Sequence, residues 1–479
     1  MDCTLCCVRI TNEENAVSLK KGITVILGAN ILNLLFNLLT NFFLPKYLTL
    51  DCYAEIKTFQ LYVSYSGVLH LGYVDGMYIK YGGHLLSNID RDDLQTDFFT
   101  LIIFQFALLG IFLIAALCYR NMVLVSCILA FFPLNITGYY RQLFQATGEF
   151  SAYARNTNFA TILTFAANMG LLLFHVFSNH YLYLAAYIAI DIVVMFSCIV
   201  LMNRRSSQFV HHLKMKFSCS YLVKNITSGI FLMLGNFSSM ILTGMDRWFI
   251  KALMDNTAFA MYSFAVSMEN MMNVAVTPIS TTLYNYFCSH KKEEELRNIK
   301  GKIILFAAAI VACAFPAKFI LETFLTKYLD STGVIFYLFG AQIFYIIVKC
   351  FYVNLYKAQK KQKTYFAKLI AVIVIGFLFN AGWYAVMHTK EAFAIGTMLC
   401  GVVWYILSEM DFKALRSGWK ENLFLILAAG SYMLLGTFAE SLIGLFLYII
   451  LLFIFCVVLM RKDVMDCVRM VKGFLTRNA

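Results

Sequence analysis

Long apolar runs follow one another along almost the entire chain, separated by short polar connections. Each run has roughly 20 mainly uncharged residues, and a helix of that length crosses about 30 Å of hydrocarbon. The runs are continuous rather than alternating, which favours helices over the strands of a barrel. The pattern predicts fourteen transmembrane spans, at about residues 22–44, 58–78, 98–118, 121–144, 157–177, 182–202, 226–245, 258–283, 302–324, 333–356, 364–387, 391–409, 422–438 and 441–460.

The composition supports a membrane protein. The 479 residues are 61% hydrophobic and 14% charged, whereas a soluble domain has about 45–50% apolar and about 25% charged residues. We therefore expect an all-α polytopic membrane protein.

Basic residues are distributed unevenly between the predicted connections. Of the 39 Lys and Arg residues, 30 lie in or next to the two chain ends and the connections on their side of the membrane. Another 8 lie in or next to the opposite connections, and Lys349 is counted with neither side. Because cytoplasmic connections carry the excess of Lys and Arg, both termini are expected in the cytoplasm. The net charge of +12 then needs no nucleic-acid partner. The connection at 285–301 is expected to be a solvated linker between two halves.

Two internal alignments indicate a duplication. Residues 19–43 align with 222–246, and residues 140–153 align with 352–365. The first match pairs span 1 with span 7, and the second pairs the end of span 4 with the end of span 10. We therefore expect a lobe of six helices at 1–210, a second lobe of six at 211–410, and two extra helices with a cytoplasmic tail at 411–479. Such repeats rock about a shared central site in transporters.

Polar side chains recur on one face of two predicted spans. Asn33 and Asn37 belong to such a stripe in span 1, and Asn236 begins a similar stripe in span 7. A polar stripe in a membrane helix faces other helices or water. The simpler interpretation is interhelical hydrogen bonding, and the functional one is the wall of an aqueous cavity that contacts substrate.

Ionisable side chains inside spans are costly, so they are functional candidates. Asp191 and Glu269 lie in the middle of spans 6 and 8, and we expect them to couple transport to protons or sodium. Structural hydrogen bonding is the competing interpretation. Lys349 lies in span 10, where it could pair with Glu269 or reach the interface. Asp75, Arg141, Asp246 and Arg247 lie near helix ends, where interfacial solvation competes with a functional role.

Motifs for enzymatic or metal chemistry are missing from the sequence. It contains no Walker A loop, no GxSxG and no HExxH motif, so we expect a transporter rather than an enzyme, without a cofactor. Cys3, Cys6 and Cys7 include a CxxC spacing, but they have no second pair and no nearby His. We expect no metal site there.

Three segments resemble bacterial polysaccharide flippases of the Wzx type, in the multidrug/oligosaccharidyl-lipid/polysaccharide exporter superfamily. The segment 72–83, GYVDGMYIKYGG, resembles the end of their helix 2, and 140–150, YRQLFQATGEF, resembles their helix 4 to helix 5 junction. The segment 244–248, GMDRW, is similar to the end of their helix 7. The six-plus-six plan of this superfamily covers nearly the whole chain.

The resemblance implies a protein of the bacterial inner membrane that flips undecaprenyl-diphosphate-linked oligosaccharides by alternating access, for O-antigen or capsule synthesis. It implies a cationic path, for which Arg141, Lys349 and Arg247 are the candidates because cations must balance the diphosphate. Snorkelling and salt-bridge roles are the alternatives for these three residues. Asp75, Lys80 and Asp246 are candidates for a gate or motif. Lipid II flippases of the superfamily place arginines in their first helix, where this chain has asparagines. Diphosphate contacts by such arginines therefore cannot be carried over to this chain.

Two other functions remain open from the sequence. A cation-coupled multidrug exporter has the same fold and would use acidic groups such as Asp191 and Glu269. A membrane glycosyltransferase or polysaccharide polymerase has similar hydropathy, but it usually carries a large outer loop that this sequence lacks. A polymerase is also a candidate partner of a flippase, besides the lipid-linked oligosaccharide and the membrane lipid.

Overall fold

The computed structural model describes residues 32–205, 216–289, 292–466 and 469. Within these ranges the regular structure is helical and contains no strand, as expected for an all-α membrane protein. The helices are α1 (32–47), α2 (Leu50–Ser64), α3 (Tyr73–Tyr81), α4 (Arg91–Cys118), α5 (Met122–Ala146), α6 (Phe150–Leu173), α7 (His180–Arg205), α8 (Cys219–Leu253), α9 (Asn256–Asn270), α10 (Asn273–Ser289), α11 (Glu293–Ile310), α12 (Ala314–Phe324), α13 (Thr332–Ile347), α14 (Val353–Ala358), α15 (Gln362–Met387), α16 (Lys390–Asp411), α17 (Trp419–Phe438) and α18 (Ser441–Leu459).

Ten helical segments of the described chain are long and apolar enough to cross a membrane. They coincide with ten of the fourteen predicted spans. The other four are the first, second, fifth and eighth predicted spans. The first falls on α1, whose preceding residues lie outside the described ranges, and the fifth falls on α6. The second and the eighth each fall on a broken pair of helices, α2 with α3 and α9 with α10. The multi-pass character is therefore confirmed, and the exact count of fourteen stays a prediction.

The second predicted span is broken where the backbone turns left-handed. Leu71 has a φ of 50° and Gly72 a φ of 84°, values at which a right-handed helix cannot continue. Gly72 also lies against the backbone of Gly229 and Ile230 in α8, and Gly76 lies against the Asn225 carbonyl. A Cβ at either glycine would be nearer than 3.0 Å to these atoms. Small residues thus allow α3 to approach α8 closely.

The chain forms two compact units, one ending at Met240 and one beginning at Ile241. The boundary falls inside α8, so the first part of this helix belongs to the N-terminal unit and the rest to the C-terminal unit. The packing pairs of the N-terminal unit are α4 with α5, α5 with α7, α6 with α7, and α3 with α5. The C-terminal unit has the corresponding pairs α11 with α13, α13 with α16, α15 with α16, and α10 with α14. A duplication would produce this recurrence, and the predicted lobe boundaries at 210 and 410 stay a prediction.

The last two helices pack inside the C-terminal unit. Helix α17 contacts α11 and α13, and α18 contacts α12 and α17. The connection predicted at 285–301 is not a solvated linker throughout, because α11 begins at Glu293 and Lys300 is only 1% exposed. Its ammonium is buried against Glu409 of α16, at 2.6 Å.

Candidate functional site

A charged cluster joins three helices of the N-terminal unit. Arg141 of α5 donates a hydrogen bond from Nε to Oδ1 of Asn156 in α6, at 2.7 Å. Asn156 is fully buried and donates in turn to the hydroxyl of Ser197 in α7, at 2.8 Å. Arg141 also interacts electrostatically with Asp191 of α7. The guanidinium is therefore held by one amide and attracted by one carboxylate, and both groups are half-buried.

A second charged cluster lies in the C-terminal unit. Glu269 near the end of α9 accepts a hydrogen bond from the Gln342 amide of α13 and interacts electrostatically with Lys349. The Lys349 ammonium also lies over the Tyr345 ring, 5.6 Å from its centroid. Lys349 belongs to a π-helical turn, Val348–Tyr352, between α13 and α14. Such turns are frequent at functional sites because they widen the helix and redirect its side chains.

Asp246 and Arg247 extend this C-terminal cluster. Asp246 is 5% exposed and accepts hydrogen bonds from the Tyr262 hydroxyl at 2.6 Å and from the Arg247 backbone amide at 2.7 Å. The Arg247 guanidinium interacts electrostatically with Asp246 and Glu269. Its Nε is buried without a hydrogen-bond partner among the described residues. Two acidic and two basic side chains thus balance one another within the C-terminal unit.

The residues of the GYVDGMYIKYGG motif do not form one site. Asp75 is 3% exposed, lies 3.9 Å from the His70 ring, and accepts a hydrogen bond of 3.4 Å from Asn236 of α8. Lys80 lies one turn further along α3 and pairs instead with Asp97 of α4, at 2.9 Å. The motif therefore tethers α3 to two different helices.

Asp97 is the most heavily bonded carboxylate of the N-terminal unit described here, and it was not among the sequence candidates. It is fully buried. Besides Lys80, it accepts hydrogen bonds from the hydroxyl of Tyr81 and from Asn225 of α8, the latter at 2.9 Å. The Tyr73 hydroxyl donates to its backbone carbonyl at 2.8 Å. In sequence, Asp97 stands just before an apolar run, so it resembles an ordinary interfacial acid. The only signal for a special role was the pair of acidic neighbours, Asp92 and Asp93, in the segment RDDLQTD.

The asparagines of the first span are placed differently from one another. Asn33 has a buried amide oxygen without a partner among the described residues, whereas Asn37 is exposed. An exposed asparagine on a membrane helix is costly unless it meets water. Asn236 bonds to Asp75, as the simpler interpretation expects.

The structure therefore brings Arg141 together with Asp191, Lys349 with Glu269, and Asp246 with Arg247. It separates the motif residues Asp75 and Lys80. No group of three or more His, Cys, Asp or Glu side chains that could hold a metal occurs in the described part of the chain. The Cys3, Cys6 and Cys7 cluster lies outside that part.

A family match covers the middle of the chain. Residues 98–290 match the family described as polysaccharide biosynthesis protein. This segment contains Arg141, Asp191, Asp246, Arg247 and Glu269. A comparison with curated protein sequences finds no match.

Two solved structures of low sequence identity share the fold. A lipid II flippase, MurJ, in an inward closed conformation is 12% identical, with a TM-score of 0.71 over 92% of this chain and 99% of that one. An inward-facing multidrug resistance MATE transporter of the MOP superfamily is 11% identical, with a TM-score of 0.56 over 80% of this chain and 95% of that one. These likenesses show that the chain shares the fold of these two transporters, as the predicted resemblance implies. Both of these structures are of transporters.

Proposed function

We propose that this chain, which has the fold shared by the lipid II flippase and MATE transporters, flips undecaprenyl-diphosphate-linked oligosaccharide repeat units across the bacterial inner membrane. The repeat units would then be available on the outer face for a polysaccharide polymerase, in O-antigen or capsule synthesis. The family described as polysaccharide biosynthesis protein supports this substrate class. The flippase likeness also extends over more of the chain than the MATE likeness, 92% against 80%.

The observation that carries the proposal is a cation close enough to a carboxylate, inside each unit, for the two to interact electrostatically. Arg141 interacts with Asp191 in the N-terminal unit, and Lys349 interacts with Glu269 in the C-terminal unit. Both cations lie on repeat-related predicted spans, the fourth and the tenth. A lipid diphosphate needs such cations, and Arg binds two phosphate oxygens at once through its planar fork.

The pairing suggests how binding is linked to an ion. A diphosphate that takes Arg141 and Lys349 leaves Asp191 and Glu269 as uncompensated carboxylates in surroundings of low polarity, which is costly. A proton or a sodium ion on each carboxylate removes that cost. Substrate and coupling ion would then bind together. The diphosphate takes the cation of each pair, and the proton or sodium ion neutralises the carboxylate that remains.

The same relation predicts the effect of removing the acidic groups. Asp191→Asn and Glu269→Gln keep shape but cannot change charge, so the double variant should transport in reconstituted vesicles at a rate that no longer depends on a proton or sodium gradient. Glu440→Gln, at an exposed position, is the matched control and should keep the dependence. Unchanged gradient dependence in the double variant would remove both residues from coupling.

Asp75, Lys80, Asp246 and Arg247 fit a second role, in the gate. Lys80 with Asp97, and Asp75 with Asn236, tie α3 to α4 and to the first part of α8. Asp246 and Arg247 tie the later part of α8 to α9 through Tyr262. Alternating access requires such ties to form and break, so we assign them to the gate rather than to substrate.

A strain that lacks the gene tests the proposed function. It should lose surface polysaccharide and accumulate lipid-linked repeat units that only a cytoplasmic-side probe reaches. An intact copy of the gene should restore both. Normal surface polysaccharide in the deletion strain would contradict the proposal.

A multidrug exporter on the same fold is the second candidate. The MATE likeness and the buried carboxylates Asp191 and Glu269 favour it, since organic cations need acidic partners. It predicts that the deletion strain becomes sensitive to cationic drugs while its surface polysaccharide is unchanged, which is the opposite outcome.

A further inference from the structure

A basic cavity lies at one end of the C-terminal unit, and neither Glu269 nor Lys349 lines it. Its volume is about 310 Å³. Side chains of α11, of the connection between α16 and α17, of the start of α17 and of the end of α18 line it. They include four cations, Arg297, Lys300, Arg416 and Lys420. All of these belong to connections or helix ends that the sequence predicts on the cytoplasmic side.

Three of the four cations are available to an anion. Lys300 is already paired with Glu409. Arg297 donates from Nε to the Ala414 carbonyl at 3.1 Å, and Arg416 donates from Nε to the Glu409 carbonyl at 3.4 Å. Among the described residues, Arg297, Arg416 and Lys420 form no ion pair with a carboxylate. Each guanidinium has five N–H donors, so contacts to carbonyls leave donors facing the cavity.

Two carboxylates also line the cavity, and they offset only part of the charge of its cations. Glu421 accepts a hydrogen bond from the Gly418 amide at 2.8 Å and so caps α17. Asp463 is half-buried, and burial, with the nearby Glu421 carboxylate, raises its pKa, which favours the neutral acid. The cavity therefore keeps a positive charge.

The cavity opens at a surface suited to lipid. Trp419, at the start of α17, is 69% exposed, and tryptophan is enriched where a helix leaves the membrane. Leu459 and Met460 line the cavity at the end of α18. The rest of α18 exposes a continuous apolar surface that includes Phe446, Phe453 and Val458. An acyl chain lying along α18 would therefore end at the basic cavity.

We propose that this cavity binds the phosphate headgroup of an anionic glycerophospholipid, with the acyl chains against α18. Basic pockets between helices on the cytoplasmic side recognise anionic lipid headgroups in this way. The occupant is a resident membrane lipid rather than the transported diphosphate. None of the lining residues belongs to the proposed transport path. The inference therefore stands independently of the proposed function.

Native mass spectrometry of the full-length protein in detergent, titrated with phosphatidylglycerol, tests the site. An Arg297→Ala, Arg416→Ala, Lys420→Ala triple variant should bind the lipid about 100-fold more weakly, since each basic group near the headgroup contributes separately. The matched control is Lys413→Ala, Arg461→Ala, Lys462→Ala. It removes the same charge from exposed positions that do not line the cavity, and it should bind like the unaltered protein. Equal weakening in both triple variants would overturn the site, because charge alone would then explain binding.

Two further arms identify the ligand. Phosphatidylcholine should bind more weakly than phosphatidylglycerol, and inorganic phosphate at the same concentration should not displace the lipid. Equal binding of the two lipids, or displacement by inorganic phosphate, would contradict an anionic lipid site. If the triple variant does not fold, Arg416→Gln, Lys420→Gln preserves side-chain volume, and unweakened binding by that variant would also overturn the proposal.

Discussion

An Arg141→Ala, Lys349→Ala double variant is expected to lose transport of lipid-linked repeat units by about 100-fold or more while it reaches the membrane at a normal level. Each cation would contribute a charge-assisted contact of about 1.5–3 kcal/mol to a diphosphate, and two such losses correspond to roughly this factor. The measurement is arrival of labelled repeat units at the outer face of vesicles that contain the purified protein. Full transport by the double variant would remove both cations from the substrate path.

The control for this experiment is Arg155→Ala, Lys357→Ala. It removes one Arg and one Lys at exposed positions, so the change in net charge is the same. It should transport at nearly the normal rate. Arg141→Lys should retain part of the activity, because the charge survives while the bidentate geometry and the bond from Nε to Asn156 are lost.

A stability effect must be separated from a transport effect, because each alanine removes a cation that interacts with a carboxylate. Adding Asp191→Asn and Glu269→Gln to the double variant restores the charge balance inside both units. This fourfold variant should recover any lost thermal stability and still fail to transport. Recovery of transport as well would mean that Arg141 and Lys349 serve structure alone.

The second large effect is expected at Asp97, where replacement by Ala should destabilise the protein by about 3–5 kcal/mol. The substitution removes the acceptor for Lys80, Tyr81 and Asn225 in a fully buried position, and it leaves the ammonium only the more distant Asp93 carboxylate. The loss should appear as a lower Tm of the purified protein in one detergent, measured at one protein concentration.

Asp93 provides the matched control on the same helix. Its side chain is 43% exposed, it lies 3.9 Å from the Lys80 ammonium, and it accepts a hydrogen bond from Tyr221. Exposed pairs contribute about 0–1 kcal/mol, so Asp93→Ala should change the Tm little. A Lys80→Met, Asp97→Leu double variant should regain part of the stability lost in Asp97→Ala, because the two paired charges disappear together. Equal Tm values for Asp93→Ala and Asp97→Ala would refute the central role of Asp97.

The sequence by itself determined the membrane helices and the superfamily resemblance. A helix satisfies its own backbone hydrogen bonds, so a run of about 20 apolar residues is enough to predict one in lipid, without knowledge of its neighbours. The prediction was weakest where this local rule is interrupted. In the second span, Leu71 and Gly72 adopt positive φ, and the break depends on how closely α3 approaches Gly229 in α8.

Only the tertiary structure decided the partners of the charged residues. Hydropathy marks Asp191, Glu269 and Lys349 as costly in lipid, but the group that offsets each cost comes from a helix tens of residues away and depends on which helix faces pack. For the same reason the sequence passed over Asp97, whose position beside an apolar run looks interfacial, and assigned the segment of Lys300 to a solvated linker. Lys80 and Asn225 offset the cost of burying Asp97, and Glu409 offsets the cost of burying Lys300. A charge is stable inside a membrane bundle only with such a partner, and that partner is a property of packing rather than of local sequence.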